Sequence, residues 1–211
     1  VDGMGTYAIY CIADYTDINN VHIYESSSVG LGLVGEHIDV TGGTIESTVG
    51  TPIRVTGDNI TVTGVDVIDS TYIFVLNAED VKFVGCSIIS GTSAGFYVKG
   101  SEGLKILDTD IKYNAGAGIY FYDAVSSGFI IANCDISKNT GDGIDIVWVC
   151  NNFTINNNII RDNGGYGIDI DADAHDSYII MGNNLLGNTN DNDDDGTGAT
   201  KEVDHNLGTW V

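Results

Sequence analysis

A repeat is the feature that most restricts what this chain can become. One pattern, apolar-x-apolar-x-x-small-x-apolar, recurs along it. The first apolar position falls at Ile38, Ile60, Val81, Leu104, Phe129, Phe153 and Tyr178, in steps of 21 to 25 residues. The second is Val40, Val62, Phe83, Ile106, Ile131, Ile155 and Ile180. The small position is Gly43, Val65, Cys86, Thr109, Cys134, Asn158 and Asn183, and the closing apolar position is Ile45, Val67, Ile88, Ile111, Ile136, Ile160 and Leu185. A second alternating pair lies upstream in each unit: Leu31/Leu33, Ile53/Val55, Phe74/Leu76, Phe96/Val98, Ile119/Phe121, Ile144/Ile146 and Ile168/Ile170. A period of 2 is the signature of strands, and no segment carries the 3.6 period of a helix.

A unit this short, with two or three strands, cannot bury its apolar face alone. Coiling successive units places like positions over one another about 4.8 Å apart, and the inward columns fuse into one core. Parallel crossovers of this kind are right-handed. The expected fold is all-β: a single right-handed parallel β-helix of about seven to eight rungs, roughly 35–40 Å long. Residues 1–30 are expected to form an irregular first rung, continued by Val21 and Ile23. Residues 31–187 are expected to hold the regular rungs, and 188–211 an acidic loop and a C-terminal cap, with Trp210 and Val211 folded over the open end. The chain begins at Val1 within strand-like sequence and reads as a mature or excised piece of something longer.

Composition agrees. Glycine is abundant (28) and proline almost absent (1), as many short strands with tight turns require. With 30 acidic against 8 basic residues, the net charge is −22. A chain so acidic has no basic surface to displace counterions from phosphates, which excludes a non-specific nucleic-acid partner. No run of 18 apolar residues is present, so no membrane insertion by a helix is expected. Cys86 and Cys134 share a column two rungs apart, about 9.6 Å, which is too far for a disulfide. Asn59 and Asn152 open N-x-T sequons.

Gly95, Gly118, Gly143 and Gly167 each precede an inward residue, fitting a corner with left-handed or close-packed backbone. Asn158 above Asn183 starts an asparagine ladder. From Leu31 onward the pattern resembles the right-handed parallel β-helix family, found in pectate-lyase-like enzymes, phage tailspikes and alginate epimerases. That resemblance implies a polysaccharide partner and an extracellular, cell-surface or virion location; the alternative is a non-catalytic structural or calcium-stabilised surface rod, with a homotrimer as its candidate assembly. If the chain is an enzyme, it implies a glycoside hydrolase or a related polysaccharide-active enzyme. Tyr166-Gly167-Ile168-Asp169 looks like the start of the Tyr-Gly-Phe-Asp-Pro-His motif of alginate epimerases. Ile170 and Asp171 stand where that motif has Pro and His, and His175 lies just beyond.

Since inward residues make the core, function belongs to outward ones. The residues between the upstream inward pairs read Gly32, Arg54, Val75, Tyr97, Tyr120, Asp145 and Asp169; the next outward column reads Val34, Thr56, Asn77, Lys99, Tyr122, Val147 and Asp171. Tyr97, Tyr120 and Tyr122 offer flat amphipathic surfaces for sugars, with Asp171 and Trp148 as further glycan-binding candidates. Asp145 and Asp169, on adjacent rungs, are the candidate catalytic carboxylates, at a spacing that suits glycosyl transfer. Asp142, Asp171 and Asp173 extend the acidic cluster, which equally suits a solvated face or a hard cation. Basic residues are scattered, so a neutral glycan is the expected ligand. Ile73, Val75, Val147 and Trp148 are the candidate apolar contacts of a self-packing rod. Finally, Asp191-x-Asp193-x-Asp195-Gly196-x5-Glu202 matches the spacing of a Ca²⁺ loop. Its candidate ligands are Asp191, Asp193, Asp195, the carbonyl of Thr197, and Glu202.

Overall fold

The computed structural model describes residues 7–171, 176–190, 192–196 and 201–209. Every strand pairing among them is parallel, and partners come from successive rungs. Three walls enclose the core. Face A is an eight-stranded sheet of Tyr7–Cys11, Val29–Leu33, Ile53–Val55, Ile73–Leu76, Phe96–Lys99, Ile119–Phe121, Ile144–Ile146 and Ile168–Ile170. The other two walls are one continuous sheet in the early rungs, through the nine-residue strands Thr16–Tyr24, Ile38–Glu46 and Ile60–Ile68. Beyond these each long strand divides in two, as in Lys82–Val84 and Ser87–Ile89, giving face B and face C. The fold is therefore an all-β parallel solenoid, as the repeat requires.

The corners explain much of the composition. Non-glycine residues with positive φ recur once per corner. Before face B they include His37, Asn59, Asp80 and Asn152, between faces B and C Asp108, Asn133 and Asn157, and after face C Asp69, Ser90 and Asp162. Asn, Asp and Gly enter this left-handed region at least cost, so a solenoid with three such corners per rung accumulates them. At Gly64 and Gly85 φ is +62° and +60°, and an added Cβ would meet nothing within 4 Å; backbone conformation alone selects glycine there. Gly118 differs. Its φ is not positive, but a Cβ would stand 2.4 Å from Ile136 Cγ2 and 2.5 Å from the Gly143 carbonyl, so it serves close packing rather than a left-handed turn.

Inside, the four apolar or small columns of faces B and C run buried from rung to rung, with Gly43 alone half-buried among the positions named above. Phe121, Phe129, Phe153 and Tyr178 stack with ring centroids 4.3 to 4.8 Å apart. Polar groups at two corners are satisfied by asparagine ladders. Asn114, Asn139, Asn163 and Asn188 form one; Asn158, Asn183 and Asn206 form the other. In each ladder the Nδ2 and backbone N–H of one asparagine both donate to Oδ1 of the next, at 2.9 to 3.1 Å. Nδ2 also donates to a core carbonyl such as that of Ile111.

One register expectation is overturned. In the third rung Ile73 and Val75 point inward and are fully buried, while Phe74 and Leu76 point outward. Ile73 stacks under Phe96, and Val75 lies between Val55 and Val98. The run Ile-Phe-Val-Leu is apolar throughout, so alternation cannot decide its parity, and a one-residue slip exchanges its faces. Phe74 and Leu76 thus replace Val75 and Asn77 in the outward columns. Ile73 and Val75 cannot be contacts of a self-packing rod. At the ends, Tyr7–Cys11 and Thr16–Tyr24 stack in register on the following rung, and Lys201–Asp204 stacks on Tyr178–Met181.

Candidate active site on face A

The outward column of face A reads Tyr10, Gly32, Arg54, Phe74, Tyr97, Tyr120, Asp145 and Asp169 in consecutive register. Strict strand alternation puts every one of these side chains on the same side of the wall. The backbone of 192–195 extends the column. The N–H of Asp193 donates to the Ile168 carbonyl, and its own carbonyl accepts from Ile170 N–H, which sets Asp193 beside Asp169.

The middle of the column is aromatic. Tyr97, Tyr120 and Tyr122 lie with ring centroids 5.3 Å apart; Tyr120 and Tyr122 are parallel and Tyr97 meets both edge-on. Tyr72 joins from the preceding turn, 4.5 Å from Tyr97, and touches Phe74 edge-on at 6.2 Å. Tyr72 and Phe74 were not among the expected site residues; the parity of the third rung was the missing signal. Lys99 sits 5.8 Å from the Tyr122 ring and pairs with Asp123. Ala94 and Ala117 leave space beside the rings. With Tyr97, Tyr120 and Asp145 they line a cavity of about 280 Å³. A larger depression of about 620 Å³ lies on face B around Phe153, Tyr178 and Ile179, with Glu202 the one carboxylate among its lining residues.

Next to the tyrosines stand the acids. Asp142, Asp145 and Asp169 bring carboxylate oxygens within 4.8 Å of one another. Asp142 precedes the face A strand and is fixed by accepting the Tyr166 N–H at 2.6 Å. Burial, then the charges of Asp142, Asp169 and Asp171, push the Asp145 carboxyl up to about 7. Burial, then Asp142, Asp171, Asp193 and Asp195, raise Asp169 to about 6. Burial and the charge of Asp145 also raise the Tyr120 hydroxyl. Two neighbouring carboxyls thus titrate near neutrality, which is the setting for proton transfer to a leaving group.

Not every predicted residue joins. Asp171 is exposed at the end of the column and acts on the pair through its charge. Trp148 is 41% exposed in the turn after Ile144–Ile146 and takes no part in the ring contacts of the tyrosine group. Asp193 and Asp195 run along face A, while Glu202 lies in a face B strand opposite Ile179. Among the described residues these three do not converge. Asp191 and Thr197, with Asp173, His175, Trp210 and Val211, lie outside the described residues.

The family model described as "right handed beta helix region" matches residues 7–125 and 124–206. The chain belongs to the right-handed β-helix family. No curated protein matches the sequence. Among solved structures, the periplasmic alginate epimerase AlgG is similar, with a TM-score of 0.69 and 15% identity over 90% of this chain and 50% of that one. The Dettilon tailspike protein gp208 matches with a TM-score of 0.51 and 14% identity over 84% of this chain and 47% of that one. The chain spans about half the length of these structures. At such identities the likeness is one of fold.

Proposed function

We propose that this β-helix recognises a polysaccharide along face A and cleaves it at Asp145 and Asp169. The observation that carries the reading is the pair of raised carboxyls, with oxygens within 4.8 Å, at the end of a tyrosine-lined cavity. A separation that short suits retention, for which carboxyls stand about 5–5.5 Å apart; inversion needs about 6.5–9.5 Å. Asp145, the higher of the two, protonates the glycosidic oxygen. Asp169 attacks the anomeric carbon and forms a glycosyl ester as the leaving sugar departs. Asp145, now ionised, takes a proton from water, which hydrolyses the ester and restores both groups. Tyr97, Tyr120 and Tyr122 hold the neighbouring sugar units. That AlgG, of the same fold, is an alginate epimerase supports a polysaccharide ligand by analogy, and its periplasmic location supports a site of action outside the cytoplasm.

A second reading keeps the glycan but gives the acids to Ca²⁺. It is favoured by the close approach of the oxygens of Asp142, Asp145 and Asp169. Glycan binding measured with and without EDTA separates the two. Catalytic carboxylates predict binding indifferent to EDTA and lost in Tyr120→Ala. A melting temperature that falls with EDTA and recovers with Ca²⁺ favours the cation.

A further inference from the structure

Arg54 is out of place in so acidic a surface. It occupies the same outward column as the tyrosines and carboxylates, between Gly32 and Phe74. Four other cations are engaged by carboxylates: Lys99 with Asp123, Lys112 with Asp110 and Asp135, Arg161 with Asp162, and Lys201 with Asp194. No such partner lies within ion-pair distance of Arg54 among the described residues. Its guanidinium leans toward the groove, 5.8 Å over the Phe74 ring. Its Nε is buried without a hydrogen-bond partner. Gly32 leaves one flank without a side chain of its own, and the Tyr7 ring fills that space. The result is a half-buried, aromatic-backed guanidinium whose Nε and charge have no partner among the described residues. A guanidinium so placed suits a carboxylate, sulfate or phosphate oxygen pair.

The remainder of the column restricts which glycan supplies that anion. Asp145 lies four rungs from Arg54, about 19 Å at the rung spacing. Between them lie Phe74, Tyr97 and Tyr120, which suit uncharged sugar faces, and beyond lie Asp145, Asp169 and Asp193. A polyanion with a charge on every unit is repelled at the acidic end. Accepting the face A reading above, we infer that the ligand is a largely neutral polysaccharide carrying isolated acidic units. One acidic unit docks on Arg54 and fixes the direction of the chain, while a neutral linkage lies at the carboxylates.

Affinity electrophoresis tests this with gels containing gellan, xanthan or glucuronoxylan, whose acidic units are separated by neutral sugars. Galactomannan serves as the neutral comparator and polygalacturonate as the polyanion. The native chain is retarded most by one of the first three, and Arg54→Gln weakens that retardation about tenfold or more. Arg54→Lys keeps the charge without the fork and falls between. Thermal melting of both variants at the native temperature confirms folding; since the side chain lies on the outside, both are expected to pass. Unchanged retardation of both Arg54 variants overturns the inference, as does tighter binding of polygalacturonate or retention by none of the first three. If galactomannan binding is then lost in Tyr120→Ala, the face A reading survives and only the Arg54 subsite falls. Binding indifferent to Tyr120→Ala in every gel removes the face A reading itself.

Discussion

At the residue scale the decisive groups are carboxyls and amides placed by strand parity. For the proposed cleavage, Asp145 near 7 and Asp169 near 6 set a working window. Above about 6 Asp169 is ionised and able to attack; below about 7 Asp145 still carries its proton. Cleavage is expected to follow a bell-shaped pH profile with its maximum between these values, to be read from initial rates across pH 4–9. A rate that climbs steadily past pH 8 contradicts the assignment. The same shifts set a stability trend. A carboxyl raised by folding binds its proton more tightly in the folded chain, so its stabilisation is complete below the unfolded value near 4 and is lost as pH rises through 7. Asp145→Asn should therefore melt higher than the native chain at pH 8 and close to it at pH 4, and equal melting at both pH values opposes this. Among the amides, Asn139→Ala deprives the N–H and Nδ2 of Asn114 of their acceptor. At about 1–3 kcal/mol for each orphaned buried group, urea unfolding should show a loss of about 2–6 kcal/mol. A midpoint that does not move would mean that the ladder carries little of the stability.

At the element scale the rung is the unit, and its legibility depended on contrast between neighbours. The columns of faces B and C were readable because Ile60-Thr61-Val62 and Phe153-Thr154-Ile155 alternate cleanly between apolar and polar residues. Ile73-Phe74-Val75-Leu76 offers no such contrast, and only the stacking of Ile73 under Phe96 settles its parity. The error had a functional cost, since it hid Phe74 and the neighbouring Tyr72 from the aromatic row. Asp145 and Asp169 were legible because isoleucines flank both. Asp142 was legible as part of the same cluster, but the turn that holds it, through the Tyr166 N–H, was not. The Ca²⁺-loop spacing cannot be followed through: Asp191 and Thr197 lie outside the described residues, and of the rest Asp193 and Asp195 run along face A while Glu202 lies on face B. Register is open to direct test. Val75→Asp places a charge among Val55 and Val98 and should abolish cooperative unfolding, whereas Phe74→Ser on the outer face should change stability by about 1 kcal/mol or less. The opposite ranking of the two by thermal melting would restore the slipped register.

At the scale of the whole molecule, a net charge of −22 is spread over a rod whose corners favour Asp and Asn. Acidity is in part a by-product of architecture, to which the acidic end of face A adds. Self-repulsion of this size is screened by salt, so the melting temperature should rise between 10 mM and 0.5 M NaCl at pH 8. A fall would indicate that attractive ion pairs dominate. The central claim, that face A cleaves glycans at Asp145 and Asp169, is tested most directly by reducing-end release from a panel of neutral and sparsely acidic polysaccharides at pH 6.5. The account predicts release from at least one of them, lost in both Asp145→Asn and Asp169→Asn while Asp58→Asn, elsewhere on the rod, retains it. Release that persists in both active-column variants contradicts the claim.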